Sequence, residues 1–480
     1  MPNTLAYIVL FGWPVIVYVL FRRLPPAAAL GWAVVAGYLL LPTRTGIDLP
    51  VIPAIDKDGV PVLSSALMLL LGVGGASAGR RNRMKRTERR GSRSGWIIKA
   101  LLVVFFVSPT ITVLTNPEPV IVGPLFIPGL KLYDAASIFA SFAINILPFL
   151  LAWRLFASPE GHVQLLRILV FALLGYSLLV LFEIRMSPQL NRTIYGFFPH
   201  SFLQHIRAGG FRPVVFLHHG LWLAILVAMA AIGAGALWRE KIARGERAGK
   251  WLFAAIFILI VLSLSNSLGA LAITLILLPA VLILGVRGQL LLASAVAITV
   301  LLYPMFRGAE LLPVDLAVSI SASIDQERAA SLTFRLDNEK ALLEKANEKP
   351  FTGWGNWGRN QIFAPETGEQ ISVTDGTWII IIGSFGWLGY LAQFGLLTLP
   401  IILLAFRRTD LGLTQATSGL AIALAANLID LTLNATLTPV TWLIAGALMG
   451  RYTYYQAQYP EEPSKTKNSA PAWMLPTMMH

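Results

Sequence analysis

The chain has no cysteine and few charges. Only 13% of its 480 residues are Asp, Glu, Lys or Arg, about half the fraction in an ordinary soluble protein. The missing thiols exclude disulfides, Cys-ligated zinc, iron–sulfur clusters and a cysteine nucleophile. The scarcity of charge, with 56% apolar residues and a mean hydropathy of +0.67, excludes a soluble globular enzyme, a disordered chain and a fibrous one. Also lacking are a Walker motif, a Ser-His-Asp set with recognisable local sequence, a DNA-binding module and a clear internal repeat. The excess charge, 38 − 25 = +13, follows from the Lys and Arg that membrane proteins collect on their cytoplasmic side, so no nucleic-acid partner is expected.

What the chain has instead is apolar runs. They fall at about 5–21, 26–42, 62–79, 97–115, 134–153, 164–182, 214–237, 251–265, 268–286, 289–306, 378–404, 412–432 and 437–452. About 20 apolar residues cross a bilayer core as a helix. The expected fold is therefore all-α, a polytopic transmembrane bundle of about 12–13 spans. The count is least certain across 251–286. The first run has no basic segment before it and no small-residue cleavage site, so it reads as a retained span. Assigning loops alternately to two sides puts 24 of the 38 basic residues on the side opposite the N-terminus. The other side has 38 − 24 = 14, of which seven lie in one loop too long to count, leaving 24 against 7. That ratio expects the N-terminus outside and the C-terminus in the cytoplasm.

The organisation is then N-terminal spans over 1–182, a short outer loop 183–213, central spans over 214–306, a long outer loop 307–377, C-terminal spans over 378–452 and a disordered tail 453–480. The run RRNRMKRTERRGSR, from Arg80 to Arg93, has eight basic residues and one acid. It reads as an inner-side anchor on anionic lipid headgroups.

Chemistry-bearing residues gather on the outer side. Segment 183–213 holds Arg185, Arg192, His200, His205, Arg207 and Arg212 with one acid, Glu183. A guanidinium fork matches the oxygens of a phosphate, so this segment suits an anionic headgroup such as a diphosphate. It serves equally as an interfacial loop with aromatic and Arg anchors. His218 and His219 fall near the outer end of the run from Val214. As adjacent helical positions they point about 100° apart, which is wrong for a metal pair. One of them facing a cavity and a helix–helix hydrogen bond are both open readings. Ser263, Ser265, Asn266 and Ser267 interrupt the apolar sequence as a polar site or a turn.

In 307–377, positions 330–349 read as an amphipathic helix with Leu332, Leu336, Leu343 and Ala346 on one face. It should lie near the bilayer surface and cover a cavity. The glycines of PFTGWGNWGRN (350–360) fit G-x-G-x-x-G in form, but a helix precedes them where a dinucleotide site needs a strand. A Gly- and Trp-rich turn that stacks on sugars or sits at the interface is the better reading. Asp375, just before the run at 378, is either a base or a helix N-cap. Asn427, Asp430 and Asn434 share a helical spacing. An intramembrane Asp430 is a functional candidate, or else it pairs with an Arg or a hydroxyl.

Four segments together resemble the O-antigen ligase and polymerase superfamily of bacterial membrane glycosyltransferases. They are RPVVFLHHGLWLAI (212–225), LSLSNSLGALAI (262–273), FRLDNEKALLEKANEKPFTGWG (334–355) and DGTWIIIIGSFGWLGYLAQFGLL (375–397). The resemblance implies a GT-C-like fold in the bacterial inner membrane and inverting transfer of a glycan from a polyprenyl-diphosphate carrier to a lipid or sugar hydroxyl. It implies no metal, nucleotide sugar or other cofactor. Arg212 and Arg335, with Arg207 next, would hold the diphosphate. Asp375–Gly376 stands where the family has His–Asn, and Asn266 where it has Arg, so Asp375 or one of His218 and His219 would be the base. A transporter of an anionic or lipid-linked solute, or a non-catalytic subunit of a polysaccharide assembly machine, would use the same Arg-rich vestibule.

Overall fold

A computed structural model describes residues 1–49, 52–74, 93–207, 210–311, 313–324, 326–407 and 412–458. In chain order the elements are α1 (Thr4–Arg23), α2 (Pro26–Leu40), a hairpin of β1 (Gly46–Leu49) and β2 (Ile52–Asp56), α3 (Gly59–Leu70), α4 (Arg93–Leu114) and a hairpin of β3 (Val120–Val122) and β4 (Leu125–Ile127). Then come α5 (Leu132–Leu155), α6 (Pro159–Met186), α7 (Leu190–Tyr195), a third hairpin of β5 (Ile206–Arg207) and β6 (Gly210–Phe211), α8 (Gly220–Ala243), α9 (Gly249–Leu264), α10 (Leu268–Ile283) and α11 (Val286–Gly308). The last are α12 (Val314–Ile324), α13 (Gln326–Asn347), α14 (Thr377–Phe406), α15 (Gln415–Leu433) and α16 (Pro439–Gln458). The protein is a polytopic helical bundle, and its three two-stranded hairpins are all antiparallel.

Each of the thirteen apolar runs overlaps a helix among the described residues, although the run at 62–79 outlasts α3, which ends at Leu70. Among the described residues, eight helices are long and apolar enough to cross a membrane: α1, α4, α5, α6, α8, α11, α14 and α15. The shorter apolar helices α2, α3, α9 and α10 complete the bundle with α16. At 1.5 Å per residue the 16-residue α9 and α10 reach about 24 Å each. The uncertain stretch 251–286 is thus two helices with a tight turn at 265–267. Helix starts follow local chemistry. Asn3, Ser158 and Thr414 cap α1, α6 and α15 with side-chain oxygens, and Pro26 and Pro159 take first-turn positions that need no N–H.

The centre of the bundle is α8 against α15, both buried nearly all round. Lipid tails give apolar helices no drive to associate, so close backbone approach has to do it. Gly419 of α15 sits so near α8 that an added Cβ would lie 2.1 Å from the Ala236 Cβ. Gly446 of α16 meets the Phe149 carbonyl of α5 in the same way.

Hydrogen bonds sort the helix ends onto two faces. On one, Asn3 bonds the Ile194 carbonyl, Tyr195 the Leu40 carbonyl, Lys57 the Phe216 carbonyl and Thr377 the Asn434 carbonyl. On the other, His162 bridges Thr417 and Ala447, and Glu240 accepts from the Ala416 amide. The three hairpins, α7, α12 and α13 all join helices on the first face, hereafter the loop-bearing face. The start of α1 lies on this face, and α16 runs away from it.

Three expectations need correction. The run from Val214 is not helical at its start, because α8 begins at Gly220 and residues 212–219 form turns. The helix α16 continues to Gln458, six residues into the segment expected to be a disordered tail. Asn434 has extended backbone and terminates α15, so it does not share a helical face with Asn427 and Asp430. The headgroup anchor at 80–93 lies outside the described residues apart from Arg93, where α4 begins. The tail beyond 458 also lies outside them.

The long loop is partly helical, as its periodicity requires. Leu342, Leu343 and Ala346 are buried under α13, while Asp337, Lys340 and Glu344 face outward. The helix docks on the end of α11. There Arg307 pairs with Glu339 at 3.6 Å and bonds the Leu336 carbonyl, and Tyr303 donates to Glu339. After α13 the chain inserts into a break in α14. Gly386 has φ 64° and ψ −167°, which no helix accommodates. The groups freed by the break pair with the loop: Trp354 N–H to the Gly383 carbonyl, Gly355 N–H to Ser384, and Trp387 N–H to Pro350. The inserted loop thus supplies partners at the break, as irregular backbone within a span requires.

Candidate functional site

The loop-bearing face carries two polar sets built from the expected residues. The first centres on Arg335, one turn before Asn338 on the same side of α13. The Arg335 Nε lies 3.3 Å from Asp375 Oδ2, and Asn338 accepts from the Val373 amide. These contacts hold α13 against the segment that leads into α14. Asp375 does not cap α14; Gly376 occupies that position without a side-chain bond. Arg335 also reaches Asn434 Oδ1 at 3.4 Å. Asn434 donates to Asp430 Oδ1 at 2.8 Å, and Thr436 donates to Asp430 Oδ2 at 2.5 Å. Asp430 therefore pairs with an amide and a hydroxyl, with Arg335 one residue further out. Asn427 belongs elsewhere, accepting from Thr441.

Arg335 and Asp375 are each about one-third exposed, at 34% and 33%. An ion pair at such exposure stabilises by only about 0–1 kcal/mol. An arriving anion can therefore displace the carboxylate from the guanidinium at little cost.

The second set centres on Arg212. Its Nε and Nη2 both donate to the Asn266 carbonyl, at 3.3 and 3.1 Å. Asn266 supplies that carbonyl because its backbone is left-handed, with φ 52°. Asn tolerates this region better than most residues. Its side chain donates to the Phe211 carbonyl. Within the Ser-rich segment, 265–267 form the turn between α9 and α10, Ser263 stays in α9, and Asn266 fixes an Arg from a neighbouring loop. The Arg212 stem packs on Gly220, where a Cβ would come within 2.5 Å.

Histidines surround this second set. The His205 and His219 ring centres are 4.5 Å apart, and His200 and His219 are 5.0 Å apart. His219 caps α8 by accepting the Leu221 amide on Nδ1. This makes it a structural cap instead of a residue on a helical face. His218 lies beside Trp222. Burial, and then the Lys57 and Arg44 cations, push His218 down to about 3, so it stays neutral at physiological pH. Burial and Arg44 also lower His200. Among the described residues no group of His, Asp and Glu is arranged to hold a metal ion. Arg207 lies in β5, and its side chain is outside the described residues.

Sequence reasoning missed several residues that hold these sets. In the sequence Glu183 is only the lone acid of its loop. Buried, it accepts the Leu190, Val214 and Val215 amides, holding Val215 at φ 53°, a region β-branched residues avoid. Lys57 is buried, bonds the Phe216 carbonyl and lies over the Tyr38 ring; burial lowers its affinity for a proton. Arg359 is buried and donates to the carbonyls of Trp354, Pro128 and Glu118. Nothing local in the sequence marks these roles, because each depends on carbonyls or amides far away in the chain.

No family model matches the chain, and no curated protein matches it.

Proposed function

We propose that the protein is a membrane glycosyltransferase of the O-antigen ligase and polymerase type. On this reading the loop-bearing face is extracytoplasmic, and the membrane is the bacterial inner membrane. The donor is a glycan on polyprenyl diphosphate, and the acceptor is a lipid or sugar hydroxyl. The observation that carries the reading is the Arg335–Asp375 pair, which sits at the bundle end where a carrier's headgroup would lie.

The chemistry follows from the exchange described above. The donor diphosphate takes Arg335 from Asp375. The released carboxylate accepts the proton of the attacking hydroxyl. A bond forms from that oxygen to the anomeric carbon, and the bond from that carbon to the diphosphate oxygen breaks with inversion. The electron pair leaves on the diphosphate, and preplaced guanidiniums stabilise it. On this reading Arg212, oriented by the Asn266 carbonyl, supplies a second cation to the diphosphate, and the neutral His218 is the other candidate base.

The test uses purified protein in liposomes with a lipid-linked oligosaccharide. Arg335→Ala and Asp375→Asn should each lower transfer about 100-fold or more, a loss typical of removing a transition-state donor or base. Transfer at the unsubstituted rate in both variants, with normal insertion, would overturn the assignment.

A further inference from the structure

The same face has a recess, and none of its lining residues belongs to the two polar sets. It is a cleft of about 450 Å³ between the β1–β2 hairpin, the first turns of α5 and the loop that follows α13. Pockets that bind small ligands generally span about 300–1,000 Å³. Two of its walls are aromatic and open. Trp357 is 54% exposed and Tyr133 56%. Asp48, Asp134, Ser137 and Asn356 also line it, and none of the lining residues is Lys or Arg.

The aromatic wall is held in place, at a conformational cost. Trp357 has φ 59°, a left-handed backbone that costs a bulky residue about 1–2 kcal/mol. The loop is fixed there by the buried Arg359, whose three backbone bonds reach the Trp354 carbonyl on one side and Pro128 and Glu118 on the other. Gly355 adds to this by lying against Leu130, where a Cβ would come within 2.5 Å. Leu130 is two residues before α5, which carries Tyr133 and Asp134. The two sides of the cleft are thus tied together. Asp134 uses one oxygen, Oδ2, on the Lys131 amide as the first-turn acceptor of α5.

A pyranose ring has an apolar C–H face and a rim of hydroxyls. Exposed indole and phenol faces suit the first, while carboxylate, amide and hydroxyl groups suit the second. Two carboxylates with no lining cation disfavour an anionic ligand. We propose that this cleft binds an uncharged oligosaccharide, stacked on Trp357 and Tyr133 and hydrogen-bonded by Asp48, Asp134 and Asn356. This goes beyond the transferase reading and needs no bond to form. Under that reading, the cleft would hold the glycan away from the reacting end.

The experiment is equilibrium binding to the purified full chain in detergent. The probes are cellotetraose, chitotetraose and tetragalacturonate. At least one neutral tetrasaccharide should bind saturably, and the uronate at least about tenfold more weakly. Trp357→Ala and Tyr133→Ala should each weaken the neutral ligand about tenfold or more, while Trp357→Phe retains most of it. If Trp357→Ala misfolds, Tyr133→Ala and Asp48→Asn decide. Arg335→Ala should bind like the parent, so a failed transfer assay leaves this result standing. Three results would overturn the proposal: no saturable binding of either neutral probe, a preference for the uronate, or full binding in the folded aromatic variants. The last would make the two rings interfacial anchors.

Discussion

At the scale of single residues, the site rests on a few buried polar groups that hold backbone in shapes it would not otherwise take. Glu183 is the clearest. Its two oxygens accept three amides from two loops, and one of those amides belongs to Val215 in its left-handed conformation. Glu183→Ala would leave the buried Val214 and Val215 N–H groups, and the part-buried one of Leu190, without this partner, at about 1–3 kcal/mol for each buried group. The variant should lose at least about 2 kcal/mol of stability, read as a lowered thermal midpoint in detergent. Glu183→Gln, which retains acceptor oxygen, should lose less. Equal stability of Glu183→Ala and the parent would show that the turn at 212–219 does not depend on this carboxylate. Asn266 works similarly: its left-handed carbonyl orients Arg212, so its type matters through its backbone and not as a charge.

At the scale of elements, α13 carries Arg335 to Asp375, and its docking on α11 depends on Glu339. Burial raises the Glu339 carboxyl to about 7, against weaker downward effects from Tyr303 and Arg307. The unfolded value is about 4.3. Between these values the docked state holds more protons than the undocked one, so docking is favoured at low pH and weakens as pH rises through about 7. Hydrogen exchange across 336–346 should quicken between pH 5.5 and 8 beyond the intrinsic pH effect, reflecting a loss of roughly 1–3 kcal/mol. Glu339→Gln should flatten that dependence, and an unchanged profile in the variant would assign it to another group.

The elements also show what the sequence could reveal. Most of the apolar runs, the amphipathic α13 and the polar turn at 265–267 are local patterns, and they lie where periodicity or polarity puts them. The start of α8 was misplaced because Val214, Val215, Phe216 and Leu217 are buried and apolar without being helical. The three hairpins were hidden because their strands are only two to five residues long. The break at Gly386 and its pairing with 350–355 join two sequence segments some thirty positions apart, and neither announces the other. At the candidate site, Arg335, Asp375 and Asp430 were picked out by residue type. The link from Arg335 to Asp430 through Asn434 was not, because it needs the extended end of α15.

At the scale of the whole molecule, the hydrogen bonds on the two faces fix a parity: the start of α1 and the 183–219 and 307–377 loops share one side, and the 244–248 turn lies on the other. The natural absence of cysteine makes this directly testable. Ser201→Cys on the loop-bearing face and Arg247→Cys on the opposite one are both exposed positions. With the expected orientation, a membrane-impermeant maleimide should label Ser201→Cys in intact spheroplasts and Arg247→Cys only after permeabilisation. The reverse pattern would place the loop-bearing face in the cytoplasm, and labelling of both in intact spheroplasts would contradict the parity itself.

The central claim is that this face breaks a glycan–diphosphate bond. Its most direct measurement is made on purified protein in liposomes loaded with a lipid-linked oligosaccharide and an acceptor. Free polyprenyl diphosphate and coupled glycan are both quantified, with the anomeric configuration of the new linkage. The account predicts one carrier released per glycan coupled, with inverted configuration. Movement of the intact lipid-linked glycan with neither product formed would contradict it.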